Sequence, residues 1–246
     1  MRAKNRYILL GWGLLVTGVW LIPVAHFVLE STPLTATGSS LIILGVVSVV
    51  LGRTRPSVSP EISALLLDTS LENISAIIEE LGLRTKAVYL PSSMTQGQPR
   101  TLIPLRANHS VPLVGKALPR RLIVRYGPSA EDIGLLISTP GSASLRMLET
   151  APGSSSSEME EALASVLGGM LDIADGVRVA TTGKTITVEI TNPRVEHKSI
   201  RFYECLGSPL ASIAAAVVAE ALDRPVAVER EEYGKGKSLI ELGILG

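Results

Sequence analysis

Cysteine, histidine and large aromatics are scarce in this chain, and each shortage closes off a class of protein. A single cysteine, Cys205, excludes an internal disulfide framework and the multi-cysteine zinc patterns, and suits a reducing compartment. The three histidines, His26, His109 and His197, lie far apart with no HExxH-type spacing, so no metal and no cofactor is expected. Two Phe and two Trp leave the core to Leu, Ile, Val and Ala. Net charge is lacking too, with 23 basic against 23 acidic residues, which argues against nucleic acid as a partner.

Two stretches lack Asp, Glu, Lys and Arg altogether, and they are the most informative part of the chain. Residues 8–29 and 34–51 are apolar runs that reach or approach the roughly 20 residues needed to cross a bilayer core. Nothing later in the chain resembles them. Arg2, Lys4 and Arg6 precede the first run, Arg53 and Arg55 follow the second, and the connection Glu30–Pro33 holds no basic residue. Basic flanks stay on the cytoplasmic side. The expectation is a multi-pass protein of the cell membrane with both termini cytoplasmic. A cleaved signal peptide fits less well, because its apolar core is about 7–15 residues and no second run follows it. Pro23 predicts a kink in the first span. Gly11, Gly13, Gly18, Gly45, Ser48 and Gly52 are small enough for close helix approach within the hairpin or between copies.

Residues 59–246 carry 18 basic and 22 acidic residues, the balance of an ordinary soluble surface. Ser59-Pro60-Glu61 predicts a helix start, and the spacing of Leu71, Ile74, Ile77, Ile78 and Leu81 continues the helix until Gly82. Strands are predicted over 86–90, 101–105, 122–126, 133–138, 177–181, 185–190, 199–203, 225–231 and 238–245, with helices over 141–150, 158–172 and 209–222. The fold class is therefore α+β. A transmembrane hairpin with a short linker (residues 1–58) leads into a cytoplasmic domain of antiparallel sheet plus helices (59–246), open to division into two similar halves, 59–153 and 154–246.

Acid is also missing from residues 81–130, where Arg84, Lys86, Arg100, Arg106, Lys116, Arg120, Arg121 and Arg125 all occur. Such a block either faces an anionic lipid surface, where each cation contributes about 1 kcal/mol, or binds a phosphorylated ligand, or forms solvated strand faces paired with acids from elsewhere. The second local feature is Cys205-Leu206-Gly207-Ser208-Pro209. Ser208 is a helix cap, and a helix N-terminus attracts anions and lowers a nearby thiol pKa, which makes Cys205, Gly207 and Ser208 a candidate ligand or anion site. The same residues read equally as a small buried thiol beside a structural cap. No catalytic residue is assigned.

The pattern LGL…AVYLP…PRTLIPL within residues 73–105, with GSPLASIAAAVVAEALDRPVAVE within residues 207–245, resembles a family of uncharacterised archaeal two-span membrane proteins. That resemblance covers most of the chain and implies the two-span architecture without an activity. The closing helix–strand–turn–strand is also similar, distantly, to the small-molecule-binding domain of the vinyl-reductase type, but Tyr233 and Leu239 stand in the region where many such domains carry cysteines. Together these readings favour a membrane-anchored binding or scaffold module, alone or as a subunit of a larger membrane assembly. Its expected partners are the bilayer, anionic lipid headgroups, and a second copy or another membrane protein. The alternative is a membrane-surface enzyme or sensor for a lipid-like or anionic small molecule.

Overall fold

A computed structural model of the chain describes residues 6–54, 60–106, 117–195 and 201–245. It divides into two compact units, residues 1–68 and 69–246. Arg2, Lys4, Arg55, the linker residues 55–59, His109, Lys116 and His197 lie outside the described residues.

The first unit is a helical hairpin. Helix α1 (Arg6–Pro23) runs on as a π-helical turn, Val24–Val28, and α2 (Thr32–Thr54) returns alongside it. Pro23 supplies no N–H, and beyond it the ladder shifts from i−4 to i−5, with Leu29 N–H donating to Val24 O at 3.2 Å. The predicted kink is thus met by a widened turn. The helices touch along two stripes of small residues spaced by seven: Gly11 and Gly18 on α1 with Ala25 in its π turn, and Gly38, Gly45 and Gly52 on α2, all buried. A Cβ at Gly11 would lie 2.9 Å from Gly45 O, and one at Gly18 would lie 2.8 Å from Gly38 O. These backbones are as close as glycine permits. Gly13, one of the glycines singled out for close approach, faces open space. The outward faces stay apolar, with Trp20 72% and Phe27 80% exposed.

The second unit is an antiparallel eight-stranded sheet with helices packed on it, as the fold class required. The strands are β1 (Val88–Leu90), β2 (Arg100–Pro104), β3 (Ile123–Arg125), β4 (Ile133–Ile137), β5 (Gly176–Thr182), β6 (Thr185–Thr191), β7 (Val226–Gly234) and β8 (Lys237–Ile244). Their order is β3-β4-β2-β1-β7-β8-β6-β5. A single sheet therefore runs from one edge to the other, joined where Val88 faces Ala227 and Tyr89 faces Val226.

Alternation explains the outer strands. In β6, Ile186, Val188 and Ile190 are buried while Thr187 and Glu189 are only partly covered, as a half-buried strand requires. The short strands β1, β2 and β4 are buried on both faces. Ile103 and Leu135 meet Ile78 of α3 (Pro60–Glu80), while Leu102 and Leu136 meet Leu118 and Tyr126. Helix α7 (Pro209–Leu222) lies against β1, β7 and β8 on one side and against α4 (Pro140–Leu145) and α5 (Ser156–Ala164) on the other. Its ten residues from Leu210 to Ala219 are all buried. A Cβ at Gly141 would fall 2.1 Å from Ser212 O, so α4 crosses α7 at a distance only glycine allows.

Within the predicted strand 199–203, the described residues are helical instead: α6 (Arg201–Leu206) directs Phe202, Cys205 and Leu206 into one cluster. Their three- and four-residue spacing overrides the strand preference of Phe202 and Tyr203.

Three helical stretches among the described residues are long and apolar enough to cross a membrane: Ile8–Val28, Thr32–Arg53 and Phe202–Leu222. The last is α6 and α7, 78% buried inside the sheet unit. Its apolarity is therefore that of a core helix.

Candidate functional site

The basic block is dispersed by the fold, and what remains together is instructive. Arg106 pairs with Glu131 at 2.6 Å in the open, where such a contact is worth little. Arg125 turns back on the carbonyls of Gly127, Pro128 and Ser129. Lys86 donates to Glu229 O, and Arg84 is exposed.

Arg100, Arg120 and Arg121 converge on one cleft of about 340 Å³. The register of the sheet builds it. Arg100 opens β2 opposite Leu90, Arg120 and Arg121 lead into β3, and β4 contributes its far end through Ile137 and Ser138. Ile74 and Ile77 of α3 and Leu122 add apolar wall. Among the described residues no carboxylate forms an ion pair with any of the three arginines; Arg120 donates to the Gln98 side-chain oxygen at 2.7 Å. The Arg100 Nε is buried and has no acceptor. A buried donor left unmatched costs about 1–3 kcal/mol, and more when charged, so Arg100 is held beside the cleft at the expense of stability. Three cations on an aliphatic floor can hold an anion by charge-assisted hydrogen bonds and cover an apolar group beside it.

The second candidate is differently disposed. Ser208 caps α7, accepting from Ala211 N–H at 3.2 Å, while its own N–H donates to the Glu231 carboxylate at 3.1 Å. Glu231 also accepts from the Ser208 and Tyr233 hydroxyls. The helix N-terminus thus already holds a carboxylate supplied by β7. Cys205 is buried with its thiol 3.8 Å from Leu83 O, and Gly207 takes φ +76°. The space beside this loop is about 10 Å³, scarcely room for one water. Burial holds the Tyr89 and Tyr233 hydroxyls well above the usual phenol range, Tyr233 being further raised by Glu231. Tyr89 donates to Leu206 O at 2.6 Å, which ties α6 to the sheet.

Carboxylates elsewhere cap backbone. Glu158 closes a capping box with Ser155, whose bonds hold its pKa below the usual range. Glu160 accepts from Val179 N–H on edge strand β5, and Glu220 from Ser92 N–H. No group of three or more His, Cys, Asp or Glu among the described residues could hold a metal ion. Sequence reasoning missed Glu231, which lies 23 residues beyond the cap it serves.

The chain matches the family model of a domain of unknown function, DUF7982, over residues 2–243, and it belongs to that family. No curated protein and no solved structure matches it. Neither archaeal origin nor a vinyl-reductase-type segment follows from these matches.

Proposed function

We propose that this DUF7982 protein is a membrane-anchored, non-enzymatic binding module whose sheet domain captures an anionic small ligand in the three-arginine cleft. The observation that carries the reading is Arg100 Nε, buried without an acceptor beside Arg120 and Arg121 on an apolar floor. Binding is favoured over catalysis because Ser208, Glu158, Glu160 and Glu220 are committed to hydrogen bonds that hold the fold. The anchor is the α1–α2 hairpin, whose outer faces expose large apolar side chains such as Trp20, Phe27 and Ile43. The basic residues Arg2, Lys4, Arg6, Arg53 and Arg55 flank it and support a cytoplasmic side for both termini. Membrane tethering confines the domain to ligands that reach the cytoplasmic leaflet or its surface.

Purification of the full chain from its membranes in mild detergent, followed by mass spectrometry under native and denaturing conditions, tests this. The expected result is an anionic small molecule released from the wild-type protein and missing from an Arg100→Met/Arg120→Gln/Arg121→Gln variant. Identical small-molecule profiles from the two proteins would contradict the reading.

A further inference from the structure

We infer that the ligand of the arginine cleft is a single-chain phosphate monoester, its phosphate on the guanidiniums and the first part of its chain on the aliphatic wall. The inference rests on the anion-binding reading above and adds the class of ligand. Three arginines without a paired carboxylate favour a dianion over a singly charged carboxylate. Apart from the three arginines, the lining is Ile74, Ile77, Leu122, Leu135, Leu136 and Ile137 with one hydroxyl, Ser138, so the group attached to the anion is mainly hydrocarbon.

Size bounds the chain. A cleft of about 340 Å³ holds a phosphate and only the first several carbons of its chain before the chain must emerge. A two-chain lipid brings its second chain against a wall already covered, and where the lipid also carries a headgroup alcohol its phosphate is a diester with one charge fewer.

The test titrates the full chain, held in phosphatidylcholine nanodiscs, with butyl, hexyl, octyl and dodecyl phosphate, with octanol, with octanoate and with inorganic phosphate. Each methylene that enters the cleft strengthens binding about fourfold. Affinity therefore rises from butyl to about octyl phosphate and then levels off. Octanoate binds more weakly than octyl phosphate, while octanol and inorganic phosphate each bind weaker still. Arg100→Met weakens octyl phosphate about tenfold or more without lowering the melting temperature, whereas Arg106→Gln, outside the cleft, leaves binding unchanged. Nanodiscs doped with diacyl phosphatidic acid do not compete, which separates a free monoester from a bilayer headgroup.

Affinity that keeps rising to dodecyl phosphate, or octanol binding as tightly as octyl phosphate, would reveal partition into lipid and overturn the inference. Inorganic phosphate binding as tightly as octyl phosphate would overturn it too, while leaving the anion-binding reading standing. Should no anion bind at all, or should Arg106→Gln weaken binding as much as Arg100→Met, both would fall.

Discussion

The two units of this chain use opposite solutions to the same problem of holding apolar segments together. In the hairpin, the buried seam is glycine and alanine and the large apolar side chains point outward, with Trp20 72% exposed. In the sheet domain, Leu163, Leu210 and Val217 are fully buried, and the surface is charged and hydrogen-bonded. Water drives the second arrangement by the area of hydrocarbon it expels. A hydrocarbon solvent would suit the first, because there close backbone packing replaces the hydrophobic effect as the source of attraction. Burial pattern, more than composition, separates the two: α6 and α7 together are also long and apolar enough for a span, yet they sit inside a core.

Substitutions that swap the two logics give the clearest contrasts. The largest expected effect is Leu163→Ala in α5, which removes core volume and lowers the domain's stability by about 2–5 kcal/mol in a denaturant titration followed by circular dichroism. In the hairpin, removing bulk matters less than adding it. Gly18→Leu, aimed at Ile42 and Gly38 O, is expected to loosen the α1–α2 pair by about 1–3 kcal/mol, whereas Gly13→Leu, with nothing within 4 Å, leaves it unchanged. Cysteine cross-linking between the helices in lipid would read the difference.

Tyr89→Phe is a smaller perturbation, expected to cost about 1–2 kcal/mol by leaving Leu206 O unmatched. It also has a pH signature. Burial raises the Tyr89 and Tyr233 pKa values above the ordinary 10.0, so the folded state keeps protons that the unfolded state loses. Stability is then level below about pH 10 and falls above it, and Tyr89→Phe makes that fall shallower. The smallest effect is expected for Arg106→Gln, which breaks an exposed pair whose side chains are 69% and 63% accessible and should cost under about 1 kcal/mol.

Local patterns were legible in the sequence and long-range ones were not. Helix α7 begins and ends where Ser208-Pro209 and the alanine run place it, and the β5–β6 hairpin folds about Gly183 as its alternation requires. The apolar runs correspond to α1 with its π turn and to α2. The seam between those helices was harder to find. Its period is seven, which brings Gly38 into the contact and leaves Gly13 out.

Eight cations in an acid-free stretch marked a charged region, but nothing local told Arg100, Arg120 and Arg121 from the rest. Their meeting depends on the pairing of β2 with β4, across 30 to 36 residues of chain (Pro104 with Gly134, Thr101 with Ile137), and of β4 with β3, across 8 to 12 (Arg125 with Ile133, Ile123 with Leu135). Glu231 reaches Ser208 only because β7 lies beside β1 under α7. The helix over 201–206 was hidden because Phe202 and Tyr203, both of strand preference, belong to a helical contact pattern visible only against α3 and β2.

The membrane claim underlies every other, and topology mapping tests it most directly. Sealed cells making the full chain, tagged at its C-terminus, are treated with external protease and then, after permeabilisation, with protease again; the membranes are washed in parallel with alkaline carbonate. The account expects the chain to stay in the membrane pellet and the tagged domain to be cut only after permeabilisation. Release by carbonate, or loss of the tag in sealed cells, would contradict it.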